Sequence, residues 1–145
     1  MVEQVSVFLE NKPGHLAQMT RTLAAAGVNL RALMVADTSE FGVVRIICDM
    51  PHAAKSTLEA AGFGVSITRV LAVEIPDRPG GLADVLDVLG EAGVNVEYAY
   101  AFVEPGAISA VDIFKVDDAG AVDALEAAGF RVIGPERLYQ VDGVQ

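Results

Sequence analysis

The chain has 145 residues, 52 % of them apolar, and a formal net charge of −10 from 20 acidic and 10 basic side chains. A protein that grips a phosphate backbone needs clustered positive charge, so no nucleic acid partner is expected. No apolar run approaches the roughly 18 to 20 residues of a membrane span, so no membrane partner is expected either. The single cysteine, Cys48, allows no internal disulfide. With no basic region or long apolar core at residues 1–4, it fits a cytoplasmic protein.

In chain order, residues 2–9 alternate as a strand, with Val5, Val7 and Leu9 on one side. Asn11-Lys12-Pro13-Gly14 breaks the pattern. A helix is predicted over 14–26, where Leu16, Met19, Leu23 and Ala26 fall on one face, and Gly27 stops it. Strands follow at 30–36 and 41–48, with a turn at 37–40. Pro51 opens a second helix that ends at Gly62, and a fourth strand covers 64–70. The second half repeats the order: strand 71–75, helix 80–92, strand 96–103, turn 104–106, strand 107–116, a helix ending at Gly129, and strand 131–133. Asp117 and Asp118 are candidate N-caps of that last helix. Residues 137–141 read as one more strand, added at a sheet edge.

The two halves are copies. Residues 11–30 return as 77–96, shifted by 66, with nine identities in twenty positions and no gap. Leu58-Glu59-Ala60-Ala61-Gly62-Phe63 returns unchanged as Leu125-Glu126-Ala127-Ala128-Gly129-Phe130, shifted by 67. Two echoes at nearly one offset mark a tandem duplication. The expected fold is therefore α+β: two tandem ferredoxin-like βαββαβ units, each an antiparallel sheet with both helices on one face. The expected domains are 1–69 and 70–145. Strand four of the first copy runs into strand one of the second through 65–75 without a linker, so the halves are not beads on a flexible string.

In strand 96–103, Val96, Tyr98, Tyr100 and Phe102 are expected on one face, with Ala99, Ala101 and Val103 on the other beside Glu97. Both faces are largely apolar, which asks for a cover on each. A second copy of the chain would supply it, so a homodimer is predicted.

The repeated loop has useful chemistry. A strand ends, proline stiffens the turn, glycine permits close approach, and a helix starts with unpaired N–H groups that suit an anion or carboxylate. Asn11 and Asp77 bring oxygen acceptors beside those donors. Asn29 and Asn95 stand at the far end of the same helix, where they either face a neighbouring unit or satisfy the local backbone. Donors beside acceptors suit a zwitterion such as a free amino acid.

The pattern strand, Asn/Asp-Lys/Arg-Pro-Gly-x-Leu, helix, Gly-Val-Asn resembles the ACT domain, a regulatory module that binds amino acids in metabolic enzymes. The likeness covers nearly the whole chain as two such domains with no catalytic domain attached. It implies a non-catalytic protein, without a cofactor, that holds a free amino acid or related small metabolite at a domain interface. The implied ligand-binding residues are Asn11, Pro13, Gly14, His15 and Leu16 in one site and Asp77, Pro79, Gly80, Gly81 and Leu82 in the other. Asn29 and Asn95 are implied to contact the ligand from across the interface. Asp77 in place of Asn, and Gly81 opposite His15, make the two sites unequal.

Other chemistry is thinner. His15, His52 and Cys48 lack the spacing of a metal cluster. Copper chaperones share the element order but need a Cys pair in the first loop. Acylphosphatases share it too and hold phosphate in that loop; Lys12 and Arg78 lie there, without a residue to position the attacking water. Tyr98, Tyr100 and Phe102 form an aromatic stripe of core or interface, and a tyrosine there could line the second site. The alternative to ligand binding is an interaction module that docks on a metabolic enzyme through its sheet edge.

Overall fold

The structure is a computed structural model and describes residues 1–37, 41–102, 108–118 and 120–139. Of the turn expected at 37–40, Asp37 ends a strand and 38–40 lie outside the described residues, as do the turn expected at 104–106 and residues 103, 107 and 140–141 at the ends of expected strands.

Twelve elements follow in order: β1 Val2–Glu10, α1 His15–Ala25, β2 Leu30–Asp37, β3 Phe41–Cys48, α2 Pro51–Ala60, β4 Gly64–Pro76, α3 Gly81–Glu91, β5 Val96–Phe102, β6 Ser109–Val116, α4 Ala121–Ala127, β7 Arg131–Val132 and α5 Pro135–Tyr139. The fold is α+β, two tandem ferredoxin-like units. The chain clusters into two compact units. Glu3–Thr68 with Glu136–Gln145 form the N-terminal one, and Arg69–Pro135 with Met1–Val2 form the C-terminal one. The expected junction without a linker is a single strand, β4, which supplies residues to both.

In the N-terminal unit the strand order is β2-β3-β1-β4. β1 and β2 both pair antiparallel with β3, in a register that places Val5 opposite Ile46, Val7 opposite Val44 and Leu9 opposite Gly42. Val5, Val7, Val44 and Ile46 therefore share one sheet face. They close a core with Met19 and Leu23 of α1 and Ala54 and Leu58 of α2. Fully burying a side chain such as Leu23 contributes about 2 kcal/mol, which is why Met19 and Leu23 of the stripe read from the sequence face this way, while Leu16 and Ala26 of that stripe are exposed.

In the C-terminal unit β4 lies between β7 and β6, and β5 is the edge beyond β6. Leu71, Val73 and Phe114 face Val85 and Leu89 of α3 and Leu125 of α4. Pairing puts Leu71 opposite Phe114 and Val73 opposite Asp112.

Two expectations change. The register shifts between Val96 and Tyr98, so Glu97 is an extra residue in β5. Val96 consequently pairs with Val116 and packs on the helix-side core. Tyr98, Tyr100 and Phe102 pair with Lys115, Ile113 and Val111, on the opposite face. A bulge inverts the alternation that the sequence pattern assumed. The same shift occurs in β2 between Leu30 and Ala32. Second, Pro135–Tyr139 is helical, where a strand was expected from 137. Pro135 opens it, Glu136 stands in its first turn and Arg137 in its last, an arrangement that suits the helix dipole.

Candidate functional site

The first repeated loop leaves β1 at Glu10 and turns at once, with Lys12 N–H donating to the Glu10 carbonyl at 2.9 Å. Gly14 then takes φ +86°, a left-handed conformation that side chains resist. From there α1 starts without a side-chain cap; the His15 N–H donates to the Lys12 carbonyl at 3.3 Å, and the N–H groups that follow it in the first turn suit an anion. Asn11, Pro13, Gly14 and Leu16 are exposed, and His15 is half-buried. Lys12 Nζ lies 2.8 Å from Glu10 Oε2. The hydrogen bond from Lys12, helped by its charge, holds the Glu10 carboxyl below its ordinary range, and the same bond raises the Lys12 ammonium.

The second loop copies the backbone and changes the side chains. Gly80 has φ +87°, and α3 again begins with no side-chain cap. Asp77 N–H donates to the Ile108 carbonyl at 3.0 Å, which ties this loop to the start of β6. Asp77, Pro79, Gly80 and Leu82 are exposed, while Gly81 is buried. A Cβ at Gly81 would fall 2.3 Å from the Pro76 carbonyl oxygen and 3.2 Å from Ile75. Only glycine fits there, so the His15/Gly81 difference is imposed by the strand end. Arg78 reaches forward, with Nη2 at 2.9 Å from Asp84 Oδ2 in the first turn of α3. Lys12 and Arg78, the cations that a phosphate-cleaving reading would use, are thus both engaged by carboxylates.

At the other helix end the two copies agree closely. Asn29 N–H donates to Asp49 Oδ1 at 2.9 Å, and Asp49 N–H donates to the Asn29 carbonyl at 3.2 Å. Asn95 N–H donates to Asp117 Oδ1 at 3.0 Å. Asp117, read from the sequence as a helix cap, instead holds this junction; Asp118 Oδ1 accepts the Gly120 N–H at 2.7 Å just before α4. Asn29 and Asn95 are exposed. An eleven-residue helix at about 1.5 Å per residue separates each from its own loop. No small ligand can touch both ends of one helix.

Two recesses flank the first loop. One, of about 110 Å³, joins Asn11, Lys12 and Leu16 to Leu9, Val35 and Val44. The other, of about 300 Å³, lies on the far side of the strand and includes Phe8, Glu10, His15, Gln18, Gly62 and Phe63. Asn11 and Leu16 therefore meet, whereas His15 opens elsewhere. A recess of about 420 Å³ in the C-terminal unit is lined by Glu74, Pro76, Ser109, Gly129, Phe130 and Arg131. The sequence reading missed both of the larger recesses, although their signal was present: Gly62-Phe63 and Gly129-Phe130 belong to the second echo. It also missed Asp112, a carboxylate on the helix side of β6 that is only 7 % exposed. Burial pushes its carboxyl above the ordinary value.

Cys48 is buried, and that burial pushes its thiol up to about 11, so it is no nucleophile at neutral pH. His52 lies at the surface with Nε2 2.7 Å from Glu3 Oε2. Among the described residues no cluster could hold a metal ion, and no helix is long and apolar enough to cross a membrane.

The family profile of the ACT domain pair matches residues 1–132. None of the curated proteins matches the chain. Among solved structures, a protein from Bacteroides thetaiotaomicron is 33 % identical, over 97 % of this chain and 96 % of its own, with a TM-score of 0.91. The ligand-free regulatory subunit of aspartate kinase from Thermus thermophilus is 15 % identical over 95 % and 93 % of the two chains, with a TM-score of 0.68. The regulatory subunit from Thermus flavus is also 15 % identical, over 95 % and 92 %, with a TM-score of 0.63. At 15 % identity the likeness is one of fold.

Proposed function

The chain belongs to the ACT domain pair family, and from that premise we propose a non-catalytic regulatory protein that binds a free amino acid or related small metabolite at its repeated loops. The observation that carries this reading is the recess where Asn11, Lys12 and Leu16 meet beside the uncapped start of α1. Helix N–H groups suit a carboxylate, Asn11 offers an acceptor for an ammonium, and Leu9, Leu16, Val35 and Val44 supply an apolar wall. At about 110 Å³ the recess is smaller than the roughly 300 Å³ of ordinary small-molecule sites. A second protein surface would complete it, with Asn29 or Asn95 of that surface facing the ligand. Ligand that binds one arrangement better shifts the population toward it. The domains in this reading are 1–69 and 70–145, the setting is the cytoplasm, and the assembly is a homodimer.

The test is a thermal-shift screen of the purified chain against the standard amino acids and their keto acids. A rise with one chemical class, reduced by Asn11→Ala, is expected, because a ligand of the folded state raises stability. A well-folded protein that responds to none of them would defeat the reading. A second reading, docking on a metabolic enzyme, is favoured by one observation: the edge strand β2 leaves Leu33 and Val35 exposed. That partner would co-purify with the chain and be lost on Val35→Lys.

A further inference from the structure

We infer that the second copy carries a binding site of its own on the helix-free face of its sheet, and that this site takes an uncharged nitrogen heterocycle with a lactam edge, the chemistry of a free oxopurine or oxopyrimidine base. The inference goes beyond the proposed role of the repeated loops and stands or falls apart from it. The site is the recess of about 420 Å³, the size of an ordinary small-molecule pocket. None of residues 77–82 lines it. Three adjacent strands build it: β4 lies between β7 and β6, with Glu74 opposite Arg131 and Pro76 opposite Ser109. Leu71, Val73 and Ile75 belong to the helix-side core, so Glu74 and Pro76 take the other face. Phe130 enters from the end of α4, where Gly129 turns at φ +89° and the Phe130 N–H donates to the Leu125 carbonyl at 3.0 Å. That closed turn fixes where the ring leaves the chain.

The charged pair in this recess belongs to the second copy. At the matching places the first copy has Phe8 and Gly64, and a Cβ on Gly64 would lie 3.7 Å from the Phe8 side chain. In the second copy Ser109 Oγ donates to Glu74 Oε1 at 3.1 Å, and Arg131 Nη1 stands 3.5 Å from Glu74 Oε2. The hydroxyl holds the carboxylate. The guanidinium is placed more loosely, beyond the roughly 2.7–2.9 Å of a tight charge-assisted bond, and its side chain is 67 % exposed. A donor therefore stands beside an acceptor, next to the apolar surface of Pro76 and Phe130. The pair is neutral as a whole, so it selects neither an anion nor a cation. It matches a group that presents C=O beside N–H on one edge. A trans peptide sets those two on opposite sides. A lactam ring sets them side by side and offers a flat face to Phe130. Arginine donates to base carbonyls and glutamate accepts base N–H groups for the same reason. Residues 69–135 carry twelve acidic and four basic side chains, which repel a phosphate, so the base or nucleoside is the form taken.

The test is amide NMR of the full chain titrated with uracil, with inosine, and with uracil methylated on both nitrogens. Uracil or inosine should shift the amide signals of Ser109, Phe130 and Arg131, with a Kd of about 1 mM or tighter. The methylated ring keeps the shape and the carbonyls but has no N–H, and should bind about ten-fold more weakly or worse. Arg131→Ala and Glu74→Ala should each lower the affinity for the base about ten-fold or more. Arg131 is exposed, so its variant keeps the comparison open if Glu74→Ala folds poorly. Phe8→Ala, in the recess of the first copy, should leave that affinity unchanged. Four results would each overturn the site: shifts confined to 11–16 and 77–82, equal binding of the methylated ring, affinity undiminished in both variants, or no shift with either base. None of them touches the reading of the loops, which the amino-acid screen decides.

Discussion

The two copies of the loop differ least where the backbone is held and most where a ligand would look. Pro13-Gly14 and Pro79-Gly80 turn alike, at φ +86° and +87°. Asn29 and Asn95 are each pinned by an aspartate at 2.9 and 3.0 Å. Around that frame His15 becomes Gly81, the Lys12–Glu10 pair becomes Arg78–Asp84, and Val44 becomes Asp112. After a duplication, turn geometry stays fixed because the helix cannot start or stop otherwise. Side chains beside the recess are free to diverge, so the copies should differ in what they bind.

The comparison can be broken most violently at Gly81. Gly81→Ala forces a Cβ against the Pro76 carbonyl and should cost about 3 kcal/mol or more, whereas His15→Gly in the other copy should cost about 1 kcal/mol or less. Urea denaturation of the two variants checks the contrast, and equal losses would mean that the loops are interchangeable. Next in size, Asp112→Val should raise stability at neutral pH by about 1 kcal/mol, by removing a carboxylate whose charge is disfavoured by partial burial. The sign with pH follows from the raised folded value. Below about pH 4, the ordinary aspartate range, the group is protonated in both states and its contribution is fully present. As pH rises through the raised folded value that contribution is lost. The advantage of Asp112→Val should therefore vanish in acid and grow as pH rises; an advantage that is largest in acid would contradict the assignment.

A smaller effect sharpens the likeness. Asp49→Ala and Asp117→Ala each remove one backbone tether and should each cost about 1 kcal/mol. Thermal melts that separate them widely would show that the junctions are not equivalent. The smallest effect is expected of Arg78→Ala, about 0.5 kcal/mol or less, since both partners of its ion pair are more than half exposed. That loss should disappear in high salt.

Much of this was legible from periodicity. The helix facing Val5 and Val7 followed from Met19 and Leu23, because a helical stripe and a strand alternation must meet in one core, and the repeat carried the same layout to the second half. The resemblance to the ACT domain held because turn residues such as Pro13, Gly14 and Gly27 act locally. The errors fell where local rules yield to context. Strand alternation cannot announce a bulge at Glu97, so the stripe of Tyr98, Tyr100 and Phe102 was joined to the wrong valine. Residues 137–139 carry a mixed pattern, and Pro135 with its flanking charges decided for a helix.

By itself the sequence determined the duplication, the element order and the loops, since repeats and turn chemistry are properties of neighbours along the chain. Only the tertiary structure decided which residues those loops meet. Strand register set Asp112 in the place of Val44, the end of β4 forbade a side chain at Gly81, and the far end of α1 put Asn29 out of reach of Asn11. Those are contacts between residues far apart in sequence, and no local pattern encodes them.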